Sequence, residues 1–213
     1  MNFTRLIAVR HGETAWNVDT RIQSHLDIPL NDTGLWQARQ VAQALLHEDI
    51  HAIYTSDLRR AAQTARHVGE AKALPVHDEL ALRERGFGEF EGQTYAEIQE
   101  RWPEESVRWR KRDPHFAPPG GGESLLVFGD RILQAVHRLA ARHAGQQILL
   151  VAHGGVMDVL YRAATHLDVQ APRSWHLGNA AINRLLWTPD GLSLVGWADT
   201  QHLEDGTRDE TTA

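Results

Sequence analysis

Twice in this chain, a short apolar run ends at a histidine and glycine and is followed by a helical pattern. Residues 6–9 lead into Arg10 and His11, and residues 148–152, which have no polar face, lead into His153. A strand without a polar face is typical of the centre of a parallel sheet. Ligands of such sheets bind beyond the carboxyl ends of the strands, where helix N-termini offer N–H groups to anions. If the two strands are neighbours, both imidazoles lie at one binding edge.

Strands and helices alternate along the rest of the chain. Residues 52–55 are predicted to form a second buried strand, residues 74–76 a weaker third, and residues 181–187 and 192–198 a closing hairpin. Helices are predicted after N-terminal signals at residues 31–34, at Ser56 and Asp57, at Ser124, and after His153. This order predicts an α/β fold, with a doubly wound, mostly parallel sheet and helices on both faces.

The alternation breaks in the middle of the chain. Between about residues 87 and 123 there are glycine loop signals, two short helical patterns separated by Pro103, and a stretch rich in proline and glycine. We interpret this segment as a small helical cap inserted into the fold. The expected organisation is therefore a single domain over residues 1–213, with a flexible polar tail at about residues 205–213.

Composition narrows the classes of function. The chain has 22 basic and 28 acidic residues, a formal net charge of −6, which argues against bulk attraction to nucleic acid or to anionic membranes. It contains no cysteine, which excludes disulfides, thiolate nucleophiles and cysteine-ligated metals. The apolar run at residues 148–152 is far too short to span a membrane, and no signal-peptide pattern precedes the first strand. We expect a cytoplasmic protein whose anion site is built from a local cluster of basic residues.

Arginines and histidines at the predicted strand ends fit such a site. Arg10 adjoins His11, and Arg60 follows the strand at residues 52–55; guanidinium groups match phosphate oxygens in a bidentate way. The alternative for either arginine is a solvated surface position. Two histidines also suit a metal, but no H-E-x-x-H or comparable ligand set is present, so no metal is expected. Glu84 lies between two arginines and would, on its own, suggest only a solvated ion pair.

Four motifs in order resemble the histidine phosphatase superfamily, the phosphoglycerate mutase-like proteins. The motifs lie at residues 10–14, 56–65, 82–85 and 151–155, and the resemblance extends from residue 10 to about residue 203. It implies a phosphoglycerate mutase-like domain that transfers a phosphoryl group through a phosphohistidine.

The resemblance also implies roles for five residues. His11 would be the nucleophile, and Arg10, Arg60 and His153 would hold the phosphoryl oxygens. Glu84 would protonate the leaving alkoxide and then take a proton from the incoming water. The two arginines should lower the pKa of His11 and keep it neutral, and a carboxyl group that stays protonated near neutral pH would suit Glu84.

The remaining phosphate-side residues come from the first loop and from the last motif. Asn17 and Gln23 would complete the pocket, with Gly154 at the start of the helix after His153. The family usually has a glycine after this glutamine, whereas the present chain has Ser24. The serine side chain either adds a hydrogen bond or narrows the pocket.

The cap is expected to decide the substrate. Phosphoglycerate mutases carry a tryptophan and two arginines where this chain has Trp109 followed by Arg110 and Lys111. These two basic residues, together with Phe87, are the candidates for substrate specificity, and a solvated charged helix is the alternative. The mutases usually have a tyrosine near Phe87, which is missing here, and a longer loop than residues 114–124, which favours a phosphatase.

The sequence therefore predicts a phosphomonoesterase that hydrolyses a small phosphorylated metabolite through a phosphohistidine, without a cofactor or metal. The alternative is a cofactor-dependent phosphoglycerate mutase, for which 2,3-bisphosphoglycerate would serve as primer. A non-catalytic protein that binds a phosphorylated ligand is a third interpretation. No nucleic-acid or membrane partner is expected, and a homodimer stays open.

Overall fold

A central six-stranded sheet organises the computed structural model, which describes residues 2–204. In chain order its strands are β1 (Thr4–Arg10), β2 (Ala52–Thr55), β3 (Val76–Asp78), β4 (Gln147–Ala152), β5 (Ile182–Thr188) and β6 (Gly191–Asp199). The helices are α1 (Ala15–Val18), α2 (Asp32–Ala44), α3 (Arg59–Lys72), α4 (Tyr95–Arg101), α5 (Pro103–Arg110), α6 (Leu125–Ala141), α7 (Gly154–Thr165) and α8 (Gln201–Glu204).

The strand order across the sheet is β3-β2-β4-β1-β5-β6. The first four strands run parallel, and β5 and β6 complete the sheet as an antiparallel hairpin. This arrangement confirms the predicted mostly parallel α/β sheet. Arg10 at the end of β1 is opposite Ala152 at the end of β4, so the chain leaves both strands at the same edge.

Helices cover both faces of the sheet, as the sequence predicts. Leu6 and Ala8 of β1 are buried in a cluster with α6 and α7, and Ile7 and Val9 are buried in a cluster with α2 and α3. Successive side chains of a strand point to opposite faces, so one strand contributes to both cores. All six residues of β4 are buried, in agreement with its central position.

Two boundaries predicted from the sequence are wrong. The residue that caps α3 is Leu58, without a side-chain hydrogen bond, rather than Ser56 or Asp57. The Asp57 carboxylate instead accepts hydrogen bonds from the Arg83 guanidinium, with 2.7 Å between Nε and Oδ1. Its partner is therefore a side chain from a distant part of the sequence. The third strand begins at Val76, two residues later than predicted, because Pro75 has no N–H to donate to a sheet.

The segment at residues 87–123 has a small aromatic core of its own. It contains a 3₁₀ turn at Gly88–Phe90 and the helices α4 and α5, with Pro103 at the first position of α5. Phe90, Ile98 and Phe116 are buried there, and Trp102 packs on Phe90 at 5.2 Å between ring centroids. The two predicted short helices are thus confirmed.

The predicted tail at about residues 205–213 lies outside the described residues. None of the helices within residues 2–204 combines the length and the apolar character that crossing a membrane requires.

Candidate active site

The ends of β1 and β4 bring two histidines together. His11 follows β1, and His153 follows β4 at the position just before α7. Their ring centroids are 5.3 Å apart, with an angle of 62° between the planes. His11 is 3% exposed and His153 is fully buried. The neighbouring strands therefore place both imidazoles at one edge of the sheet, as the repeated pattern predicts.

A backbone hydrogen bond orients His11 and selects its tautomer. Nδ1 lies 2.7 Å from the carbonyl oxygen of Gly12. A carbonyl only accepts hydrogen bonds, so Nδ1 carries the proton and Nε2 of a neutral ring keeps its lone pair. Gly12 allows the backbone of α2 to approach closely, because a Cβ there would lie 2.5 Å from the carbonyl oxygen of Gly34. The Gly12 carbonyl therefore leaves Nε2 of the neutral ring unprotonated.

The surroundings of both histidines favour the neutral form. Burial lowers the pKa of His11 well below its ordinary value, and the positive charges of Arg60 and Arg10 lower it further, against an opposing effect of the Gly12 hydrogen bond. Burial is also the main cause of the low pKa of His153, with Arg60 next. At neutral pH the two rings are therefore uncharged, and the arginines carry the positive charge of the site.

Arg60, the second residue of α3, is 1% exposed. Its Nη1 donates to the carbonyl of Leu26 at 2.8 Å, and its Nη2 donates to the carbonyl of Ser24 at 2.7 Å. Burial lowers its pKa to about 10, so it stays protonated at neutral pH. Two backbone carbonyls thus fix the guanidinium plane without neutralising its charge.

Arg10 supplies a second guanidinium, which is partly buried. Its Nη1 donates to the carbonyl of Leu177, and burial lowers its pKa. A Cβ at Gly154 would lie 3.4 Å from Arg10 Nε, which is tight for a side-chain contact. Gly154 therefore leaves room beside the guanidinium at the start of α7.

Several buried polar atoms around these groups have no hydrogen-bond partner among the described residues. They are Nε of Arg10, Nε of Arg60, both ring nitrogens of His153, and Oε1 of Gln23. Buried polar atoms in native proteins are nearly always hydrogen-bonded. Guanidinium N–H groups of two cations are suited to the oxygens of a phosphate. Within residues 2–204, no group of three or more metal-ligating side chains is positioned to hold a metal ion.

Glu84 is held at the start of α7 by backbone N–H groups. Its Oε1 accepts from the N–H of Arg85 at 2.8 Å, and its Oε2 accepts from the N–H of Gly155 at 2.9 Å. A Cβ at Gly155 would overlap Oε1, so only glycine allows this approach. Neither neighbouring arginine forms an ion pair with Glu84, because Arg83 pairs with Asp57 and Arg85 donates to backbone carbonyls. The alternative of a solvated ion pair between Glu84 and a neighbouring arginine is therefore wrong.

Two arginines that the sequence did not single out position the Glu84 segment. Arg131 of α6 forms hydrogen bonds with the carbonyls of Arg83 and Glu84 and an ion pair with Glu123. Arg85 is buried, donates to the carbonyl of Glu123 at 2.7 Å, and has its pKa lowered to about 10 by burial. Arg85 lies within the third motif, whereas no sequence signal marks Arg131, because its partners are mostly backbone carbonyls of distant segments.

Ser24 connects the first loop to the Glu84 segment. Its Oγ donates to the carbonyl of Arg85 and accepts from the N–H of Phe87, both at 2.9 Å. Its backbone has a φ of 49°, in the left-handed region that favours glycine, and the side chain is buried. The serine side chain was expected either to add a hydrogen bond or to narrow the pocket, and in the structure it adds hydrogen bonds. Oγ thus binds protein groups, and the Ser24 carbonyl binds Arg60.

Two further residues support the loop after His11. Asn179 Nδ2 donates to the His11 carbonyl at 3.0 Å and to Oδ1 of Asn17 at 3.3 Å. Thr64 Oγ1 accepts from the N–H of Gly12 at 3.1 Å and donates to the Arg60 carbonyl at 2.8 Å. Thr64 could have been found from the sequence, because it lies within the second motif. Asn179 could not, because residues before β5 show only an ordinary turn signal. Asn17 thus lies beside the His11 loop, where its Oδ1 also accepts from the N–H of Thr14 at 3.0 Å.

The specificity candidates separate into two groups. Phe87 lines a cavity of about 690 Å³ that also includes Glu84 and Gly154. Arg110 and Lys111 are exposed at the end of α5 and are not among the residues that line this cavity. Their placement matches the alternative of a solvated charged helix.

Comparison with known proteins agrees with this geometry. The profile of the histidine phosphatase superfamily (branch 1) matches residues 6–200. A phosphoglycerate mutase-like protein 4 of Arabidopsis thaliana is 36% identical over 96% of this chain and 89% of its own length. A metal-independent phosphoserine phosphatase of the same plant is 35% identical over 94% of this chain and 83% of its own. A mycobacterial glucosyl-3-phosphoglycerate phosphatase structure is 33% identical with a TM-score of 0.81, over 93% of this chain and all of that one.

Proposed function

The chain belongs to branch 1 of the histidine phosphatase superfamily, and we propose that it hydrolyses small phosphate monoesters through a phosphohistidine on His11. The observation that carries this proposal is the convergence of His11, His153, Arg10 and Arg60 at one sheet edge, with Glu84 held at the start of the adjoining helix α7.

In the first step, Nε2 of His11 attacks phosphorus, and the bond from phosphorus to the alcohol oxygen breaks. Arg10 and Arg60 offset the charge on the phosphoryl oxygens, which is the main demand of phosphoryl transfer. The same phosphoryl oxygens are bound by four further residues: His153, Asn17, Gln23 and Gly154. The low pKa of His11 keeps its ring neutral for the attack.

Glu84 provides the proton that the alcohol needs in order to leave. Each of its carboxyl oxygens accepts one backbone N–H, which leaves a second lone pair on each oxygen for a proton. In the second step, water attacks the phosphohistidine, and the Glu84 carboxylate takes the proton of that water. Inorganic phosphate leaves, and both residues return to their starting states.

Phosphatase activity is favoured over mutase activity. Two of the similar proteins above carry phosphatase names, and one carries a mutase-like name. A mutase must hold a second anionic group of its substrate, and Arg110 and Lys111, the candidates for that contact, lie outside the cavity beside Glu84. Phosphoserine and phosphoglycerate esters are the first substrates to test, because those similar proteins carry these compounds in their names.

The same proposal covers the organisation of the protein. Residues 87–123 act as a cap on a single domain and contribute Phe87 to the substrate side. Hydrolysis needs no cofactor, and 2,3-bisphosphoglycerate would enter only as the primer of a mutase. A cytoplasmic location stays a prediction from the cysteine-free sequence, and a homodimer is to be tested by size-exclusion chromatography.

Phosphate release tests the proposal directly. The purified protein is incubated with p-nitrophenyl phosphate, O-phosphoserine and 3-phosphoglycerate, and released phosphate is compared with interconversion of 2- and 3-phosphoglycerate primed by 2,3-bisphosphoglycerate. We expect phosphate release to dominate. Fast interconversion with little release would identify a mutase, and inactivity on every ester would support a non-catalytic binding protein.

Two variants separate the proposed roles. His11→Ala should abolish turnover of every ester. Glu84→Gln should slow esters with poor leaving groups far more than p-nitrophenyl phosphate, because nitrophenolate leaves without a proton. Unchanged turnover of a poor-leaving-group ester by Glu84→Gln would contradict the acid role.

A further inference from the structure

The cavity beside Glu84 is where the alcohol part of a substrate must lie. It has a volume of about 690 Å³ and extends from Glu84 and Gly155 between α6, α7 and the 87–123 segment. Cavities of this size accommodate ligands much larger than a three-carbon acid. Because Glu84 is proposed to protonate the leaving oxygen, the alcohol must extend from that oxygen into this space.

Unusually exposed apolar side chains collect in this cavity. Leu126, Leu133 and Leu167 are 44%, 38% and 41% exposed, and all three line it. Phe128 and Val159 add further apolar surface to the wall. Single exposed leucines are ordinary, but a group of them around one concave surface marks a binding site for an apolar group.

Three of the arginines that line this cavity are engaged with other protein groups. Arg112 Nη2 and Arg162 Nε donate to the same oxygen of Asp158 at 2.8 and 3.0 Å. Separating a buried ion pair leaves a buried charge uncompensated, which is strongly unfavourable. Arg85 donates to two backbone carbonyls. Arg173 lines this cavity and also the space around Arg10, so its charge lies toward the phosphate side.

A carboxylate that extended along this cavity away from Arg173 would therefore lie among leucines and engaged arginines. We propose that the preferred substrates are phosphate monoesters of bulky, largely apolar primary alcohols, whose apolar part packs against Leu126, Leu133 and Phe128. This inference rests on the proposed phosphatase activity and names its substrate class.

Three esters of primary alcohols test the inference, since their leaving groups are comparable: ethyl phosphate, O-phosphoserine and naphthylethyl phosphate. We expect kcat/KM for naphthylethyl phosphate to exceed that for each of the other two by about tenfold or more, as a hydrophobic pocket gives. Equal or reversed preference, with p-nitrophenyl phosphate still hydrolysed, would overturn the substrate class alone. If p-nitrophenyl phosphate is not hydrolysed either, the proposed function fails, and the inference fails with it.

Two adjacent residues of α6 provide a matched pair of variants. Leu126 lines the cavity, whereas Val127 is 59% exposed and does not line it. Both lie in the first turn of the helix, where an added glutamate has the same favourable effect on the helix dipole. Leu126→Glu should lower the preference for naphthylethyl over ethyl phosphate about tenfold, and Val127→Glu should leave that preference and the basal activity unchanged. Equal effects of the two variants would overturn the inference.

Discussion

Replacing Gly155 by alanine should selectively disable proton donation by Glu84. The Gly155 N–H donates to Oε2 of Glu84 at 2.9 Å, and a Cβ at this position would overlap Oε1. Real Cβ atoms stay at least 3.0 Å from such neighbours. The carboxyl group must therefore move on the order of 1 Å, a displacement that costs about 100-fold in rate when it affects a reacting group.

The assay compares two classes of ester in the same variant. Ethyl phosphate releases an alkoxide that needs a proton, and its kcat should fall about 100-fold, which corresponds to about 2.7 kcal/mol in the activation barrier. p-Nitrophenyl phosphate needs no proton, so its turnover should fall by less than about tenfold. Gly196→Ala is the control, because the nearest heavy atom to a Cβ there is 4.0 Å away. Equal losses for both esters, or no loss for ethyl phosphate, would refute the reasoning.

Three further predictions concern stability and metal dependence. Burial lowers the pKa of His11 and His153 below the ordinary 6.5. As the pH falls, the unfolded chain therefore binds more protons than the folded chain, and stability that is present above about pH 7 is lost on acidification. In urea titrations at pH 7.5 and 5.5, each histidine should contribute up to about 1.4 kcal/mol per pH unit to the loss of unfolding free energy. A double variant with asparagine at both positions should lose less unfolding free energy between these two pH values. Equal losses in the two proteins would contradict this explanation. Ser24→Ala should lower the free energy of unfolding by about 1–3 kcal/mol, because it removes two buried hydrogen bonds. Ser24→Gly should lower it less, because glycine adopts a φ of 49° without strain. An alanine variant more stable than the glycine variant would argue against this explanation. Dialysis against EDTA should leave phosphate release unchanged, and recovery of lost activity by an added divalent cation would contradict a metal-independent reaction.

The sequence predicted those parts of the fold that depend on local patterns. The apolar run at residues 148–152 predicted β4 to within a residue or two, and the capping signals at Asn31 and Ser124 did the same for the starts of α2 and α6. The repeated His-Gly pattern predicted that His11 and His153 would meet if their strands were neighbours, and β1 and β4 are parallel neighbours.

The features that the sequence did not predict depend on contacts between distant segments. Asp57 looked like a helix cap but binds Arg83, whose side chain comes from another part of the chain. Arg131 holds the Glu84 segment through backbone carbonyls, which carry no sequence signature. The left-handed φ of Ser24 is unusual for a serine, and only the positions of Arg85 and Phe87 explain what its side chain binds.

Trapping of the phosphoenzyme is the most direct test of a phosphohistidine on His11. The protein is mixed with a labelled ester, quenched in alkali, digested and mapped by mass spectrometry. We expect an acid-labile phosphoryl group on His11, formed at a rate compatible with turnover and absent from His11→Ala. A phosphoryl group on His153 or on any other residue, or undiminished turnover by His11→Ala, would contradict it.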